Sequence, residues 1–143
     1  MLLSALNLKE DLEQVLTLPE ASRWKIELAA DLEVYITLHS AQAPQDLFQA
    51  RLLWTDYPQN PPSLKFRDIN TSAYTPEAWP PNVPGFRPGT QDACLNICSE
   101  GFALHPEWRD DPRYKWSPQG NVLLYVIREL QRMLDTHYTA RAA

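Results

Sequence analysis

Two cysteines, Cys94 and Cys98, stand four positions apart and could carry acyl chemistry. Thiolate is a strong nucleophile and a tolerable leaving group, so one cysteine can accept an acyl group as a thioester and give it up again. Cys94 follows directly on a proline-stiffened stretch, a setting that suits a functional thiol; the alternative for it is a buried apolar cysteine. Two cysteines cannot build a disulfide framework. A C-x3-C pair with only His39, His105 and His137 to complete it is a poor zinc pattern, because structural sites show paired ligand spacings, and no metal is expected. Cys94 with His105 could also serve a cysteine–histidine hydrolase or a redox protein, but neither a nucleophile elbow nor a C-x-x-C motif is present.

The elements that must hold these residues are read from apolar spacing. Leu8, Leu12, Val15 and Leu16 share one face of a first helix, with Asn7 as its cap and Glu10 and Asp11 in its first turn, where the helix dipole favours acids. Pro19 closes it. The period then drops to two. Trp24, Ile26 and Leu28 alternate with polar residues, as do Leu32, Val34, Ile36 and Leu38, then Phe48, Ala50, Leu52 and Trp54, then Leu64 and Phe66. Four half-buried strands on short connections predict an antiparallel meander with one solvated face. Its buried face needs a cover, which the final helix supplies through the stripe Leu123, Val126, Ile127, Leu130 and Leu134. Asn121 can cap that helix, and Ser117-Pro118 offers a second start. The chain beyond Tyr138 reads as frayed.

Between Asn70 and Asn96 regular patterning is lost, and prolines at 76, 80, 81, 84 and 88 stiffen a long loop. Long ordered loops in small domains are more often functional than incidental. A second irregular stretch runs from Ser99 to Ser117. Trp24 and Trp54 belong to strand patterns and the core, whereas Trp79 and Trp108 lie in loops, to bury backbone or to bind a partner. With 143 residues and neither repeat nor linker, 1–143 is a single domain of α+β class.

Composition excludes several roles. Hydrophobic residues make up 44% and charged residues 22%, an ordinary globular balance. The net charge is -5 and no Lys/Arg cluster exists, which argues against nucleic acid as a partner. No apolar run approaches the roughly 20 residues that cross a bilayer. Met1-Leu2-Leu3-Ser4 lacks the basic start of a signal peptide, so the expected address is cytoplasmic and no membrane partner is expected.

Three motifs in order resemble the ubiquitin-conjugating enzyme family. Tyr57-Pro58-Gln59-Asn60-Pro61-Pro62, followed by Leu64-Lys65-Phe66, resembles the family's Tyr-Pro-x-x-Pro-Pro turn between its third and fourth strands. Ala93-Cys94-Leu95-Asn96-Ile97 resembles the segment around its active cysteine, and Trp116-Ser117-Pro118 before Asn121 to Leu124 resembles the lead into its crossing helix. The likeness spans roughly residues 4 to 138 and lacks the two further helices usual in the family, a shortened core similar to the conjugating enzymes of bacterial ubiquitin-like systems, including those of antiphage defence. It implies that Cys94 carries a ubiquitin-like modifier protein as a thioester, accepted from an activating enzyme and passed to an acceptor protein's amine. It also implies that Cys98, matching a family leucine, is core, that Trp116 pins the crossing helix, and that no cofactor is bound.

The departures define the open roles. In place of the family's His-Pro-Asn, eight residues before Cys94, stands Phe86; the nearest likeness is Pro80-Pro81-Asn82. Asn82 either supports the oxyanion of the transfer step or caps a turn. The stretch after the cysteine is longer than in the family and carries His105, which either folds over Cys94 to help deprotonate the incoming amine or is an exposed loop histidine. Asp92 either orients an amine or is a turn acid. Gln59-Asn60 replaces the pair that the family presents to ligases, and the first helix is acidic where the family's is basic. The alternative function is an inactive module of the same fold that only binds a modifier or partner.

Overall fold

The computed structural model describes residues 2–141. Its elements are helix α1 (Leu2–Leu16), strands β1 (Lys25–Ala30), β2 (Glu33–Ser40), β3 (Ala43–Leu53) and β4 (Ser63–Arg67), short strands β5 (Phe86–Arg87) and β6 (Asp92–Ala93), and helices α2 (Ser99–Leu104) and α3 (Val122–His137). Strands β1 to β4 form one antiparallel sheet in sequence order, and α3 lies over β2 and against α1. The class is α+β, an N-terminal helix, a four-stranded meander and a C-terminal helix, as the spacing predicts.

Register brings the alternating apolar residues onto one face. Val34 stands opposite Leu52, Ile36 opposite Ala50 and Leu38 opposite Phe48; across the next pair Ala50 meets Phe66 and Leu52 meets Leu64. None of these is more than 2% exposed, and burying a side chain of the Val, Leu, Ile or Phe kind contributes roughly 1.5–3 kcal/mol. Every residue of the α3 stripe is buried against them. Asn121 is the cap of α3, its side chain accepting from the Leu124 amide at 3.0 Å, so the Ser117-Pro118 start is not used.

Some expectations are corrected at the margins. Leu28 is 40% exposed because β1 is the edge strand and the helical cover sits over β2. Asn7 lies within α1 rather than capping it, and Leu16 faces solvent. The buried side of α1 begins instead at Ser4, whose hydroxyl donates to Asp56 at 2.7 Å, a polar start that apolar spacing does not register. The outer sheet face is partly closed by its own side chains: the Arg67 guanidinium lies 3.6 Å over the Tyr35 ring, and the Tyr35 and Tyr74 hydroxyls meet at 3.3 Å. The chain at Tyr138 is anchored, with its carbonyl accepting from Ser40 at 2.8 Å and its hydroxyl donating to Asp46 at 2.8 Å.

Tyr57 fastens the turn before β4 to both helices. Its buried hydroxyl donates to the Asp11 carboxylate and accepts from the Leu123 amide at 2.9 Å. Trp116 donates to the Pro58 carbonyl at 3.3 Å and meets Tyr125 of α3 edge-on, so it pins that helix. The stiffened loop is held by Trp79, 1% exposed, whose ring clusters with Phe66 of β4 and Phe86 of β5 at centroid separations of 5.0 and 5.7 Å. Of the two readings for Trp79, it takes the one that buries loop backbone.

Candidate active site

Cys94 leaves the end of a two-residue hairpin that the sequence does not announce. Phe86 pairs with Ala93 and Arg87 with Asp92, and the Cys94 amide then donates to Gly85 at 2.7 Å. Gly85 sits at φ +92°, a left-handed backbone that favours glycine, and a Cβ there would also lie 2.6 Å from Leu95 Cδ2. The hairpin is tied to β4 by Lys65, which donates to the Gln91 carbonyl at 2.7 Å. Asp92 is engaged within the hairpin by Arg87 at 3.2 Å and Thr90 at 2.9 Å, the turn-acid reading.

The next segment folds back over the thiol. The Ser99 amide donates to the Pro62 carbonyl at 2.8 Å, and the Glu100 carboxylate accepts from the Leu64 amide at 3.0 Å and the Ser63 hydroxyl at 2.6 Å. These bonds clamp the start of α2 onto β4. One residue on, Gly101 lies against the backbone that follows Cys94: a Cβ would come within 1.7 Å of the Leu95 carbonyl oxygen. Only glycine permits that contact, because no real Cβ tolerates it. His105 ends α2, its amide donating to the Gly101 carbonyl at 2.9 Å. Pro106 then opens a 3-10 turn that returns the chain towards the site.

This path brings two of the expected site residues together. His105 Nε2 lies 3.0 Å from Cys94 Sγ. The other ring nitrogen, Nδ1, lies 3.0 Å from a Glu107 carboxylate oxygen. The imidazole stacks on Trp108 at 4.3 Å with planes 14° apart, and Trp108 stacks in turn on Tyr114 at 5.1 Å. Asn96 donates to the Tyr114 carbonyl at 3.2 Å, so the residue after next from the thiol braces the stack. Hydrogen bonding to its own amide and then to His105 holds the Glu107 carboxyl below its ordinary value, which leaves it ionised at neutral pH. An ionised carboxylate only accepts, so Nδ1 donates to Glu107 and Nε2 is the ring nitrogen turned to the Cys94 sulfur.

The other expectations divide. Cys98 is fully buried, its thiol directed at the Ala93 carbonyl at 3.5 Å, and burial pushes its pKa up to about 12; it is a core residue. Cys94 is half-buried and is the accessible thiol of the pair. Asn82 sits in a turn at φ +62°, a left-handed backbone that asparagine adopts readily, with an exposed side chain that no hydrogen bond joins to Cys94 or His105. Among the described residues no three His, Cys, Asp or Glu side chains could together hold a metal ion. Cys94, His105 and Glu107 instead form a line of hydrogen bonds through the imidazole.

Glu107 escaped the sequence reading. Its one local signal is His105-Pro106-Glu107, an acid two positions from a histidine across a proline that bends the chain. A separate open cleft of about 610 Å³ lies between the Tyr57–Pro62 turn and α2, lined by Gln59, Asn60, Phe102, Arg109 and Lys115 among others; neither Cys94 nor His105 lines it. No helix among the described residues is long and apolar enough to cross a membrane. No protein-family model, curated protein or solved structure matches the chain.

Proposed function

We propose that this chain is a transferase of the ubiquitin-conjugating kind, which carries a ubiquitin-like modifier as a thioester on Cys94. The observation that carries the reading is the 3.0 Å approach of His105 Nε2 to a half-buried Cys94 thiol, on an α+β frame whose elements follow the order that the family resemblance implies. In the charging step the Cys94 thiolate attacks the carbonyl of the thioester on the activating enzyme. The new C–S bond forms, the old one breaks, and the partner's thiol is released. Exchange of one thioester for another is nearly isoenergetic and needs little acid–base help.

Transfer is the harder step. The acceptor lysine must lose a proton as its nitrogen attacks, and His105 Nε2, beside the acylated sulfur, is placed to take it. The amide forms, the C–S bond breaks and Cys94 regains a proton through the imidazole. The chain needs no bound cofactor for this; ATP is consumed by the activating partner. Modifier, activating enzyme and acceptor protein are the partners of the cycle, and the family resemblance suggests a bacterial antiphage system in the cytoplasm as its setting.

Incubation with ATP, and with an activating enzyme and ubiquitin-like protein encoded beside it, is expected to produce an adduct of modifier mass minus water. That adduct is cleaved by thiol reductant, lost in Cys94→Ala and kept in Cys98→Ala. A wild-type chain that binds the modifier but never forms the adduct would instead be the inactive binding module.

A further inference from the structure

Thioester exchange does not require an oriented base, yet the site holds one. The imidazole is fixed on both edges and one face: Cys94 Sγ at 3.0 Å from Nε2, Glu107 at 3.0 Å from Nδ1, and Trp108 stacked 4.3 Å away. We propose that Glu107 completes a Cys94–His105–Glu107 relay, and that the relay gives the chain an activity of its own, discharge of the acyl group from Cys94 to water or a small amine without any partner protein. This deepens the proposed role of Cys94 as an acyl carrier and rests on it.

The chemistry balances within the relay. Once Cys94 is acylated its sulfur no longer occupies Nε2 with a proton, and that nitrogen faces solvent beside the thioester carbonyl. A water or amine attacking the carbonyl gives its proton to Nε2 while its oxygen or nitrogen bonds to carbon. The C–S bond then breaks and the imidazolium returns the proton to the departing sulfur. The products are a carboxylic acid, which then loses its proton to solvent, or an amide, together with free Cys94 thiol, and no oxidant or co-reactant beyond the nucleophile is needed.

Glu107 acts through His105 and is a positioning residue. Its side chain is 67% exposed, so solvent screens its charge and its contribution is orientation. By accepting from Nδ1 it keeps Nε2 as the basic nitrogen facing the thioester; without it, imidazole is free to place its proton on Nε2 and lose the lone pair that the attack needs.

The test uses the whole chain with p-nitrophenyl acetate, which needs no modifier. Mass spectrometry of the intact protein should show one acetyl group on Cys94 that is then lost to water, and faster with added hydroxylamine. General-base catalysis of this kind is worth about a hundredfold, so acetyl-Cys94 in His105→Gln should persist about a hundred times longer. Glu107→Ala should lengthen its life roughly tenfold, with acylation itself changed less than discharge, because orientation is only part of that gain. Nitrogen-15 spectra should show His105 of the unacylated wild type protonated at Nδ1, and a shift towards the Nε2-protonated tautomer in Glu107→Ala. Equal acetyl lifetimes in wild type, His105→Gln and Glu107→Ala would overturn the inference, as would failure of Cys94 to acylate. Acetyl discharge that depends on the relay, in a chain that no activating enzyme charges, would instead defeat the proposed function and leave the relay standing.

Discussion

Gly101 lies so close to Leu95 that a Cβ on it would stand 1.7 Å from the Leu95 carbonyl oxygen, 2.6 Å from its carbonyl carbon and 2.8 Å from its nitrogen. This backbone-on-backbone contact docks α2 behind Cys94 and so delivers His105, at the end of α2, to the sulfur. Gly101→Ala therefore has to lift α2 or shift residues 94–96. Overpacking typically costs 1–3 kcal/mol, and the backbone obstacle here puts the expected loss at about 3 kcal/mol or more by denaturant unfolding. Iodoacetamide labelling of Cys94 in the surviving folded fraction should slow as well, since His105 loses its place. Gly89→Ala, where an added methyl meets nothing within 4 Å, is the matched control and should leave both measurements unchanged.

The two thiols should label very differently. Thiolate is the reacting species, and burial holds the Cys98 thiol at about 12. At pH 8 in native protein, iodoacetamide is expected to modify Cys94 alone, and to modify both cysteines once denaturant is added. Peptide mapping after tryptic digestion reads the outcome; native labelling of Cys98 at a rate like that of Cys94 would contradict its core placement.

Stability should fall on the alkaline side for the same reason. Above the ordinary thiol value of 9.0 the unfolded chain releases the Cys98 proton while the folded chain keeps it up to about 12, so the unfolded state gains relative stability as pH rises through that window. At pH 10 this one group accounts for roughly 1 kcal/mol of lost stability relative to neutral pH. Burial raises Tyr57 as well, which continues the decline at higher pH. Urea midpoints between pH 7 and pH 10 should fall for wild type and fall less for Cys98→Ala, whose own cavity cost is present at every pH.

Asn82 offers a clean separation of turn from chemistry. At φ +62° glycine is as comfortable as asparagine, whereas alanine is strained by about 1 kcal/mol. Asn82→Gly deletes the amide and keeps the turn. The expected outcome is that Asn82→Gly discharges acetyl-Cys94 at a rate within about twofold of wild type, and that Asn82→Ala loses stability only; loss of an oxyanion donor would instead slow discharge roughly a hundredfold in both variants.

How much of this was legible in the sequence depends on the range of the signal. The inward faces of β2, β3 and β4 and the buried stripe of α3 follow from period-two and period-3.6 spacing, because those patterns repeat often enough within one element to name its buried side. Cys94 as the candidate nucleophile was legible too, from its place after the prolines and its local motif. The β5–β6 hairpin, with two residues per strand, and α2, with six residues, are too short to show any period, and both were read as loop. The expectations for Asn7 and Leu28 fail because the burial of Ser4 inside α1, bonded to Asp56, and the place of β1 at the sheet edge depend on neighbours far along the chain.

The geometry of the candidate site belongs to the folded structure. Sequence by itself determined that a thiol and a histidine lie eleven positions apart; it did not determine whether the imidazole points at the sulfur or at water. That was decided by Glu100 bonding to β4, by Gly101 lying against Leu95, and by Trp108 and Glu107 returning on a proline-opened turn to hold the ring. The Glu100 and Gly101 contacts join segments with no shared periodicity, the Glu107 and Trp108 contacts hang on the path of one short turn, and both depend on which surfaces can approach without a side chain between them, which only the folded backbone states.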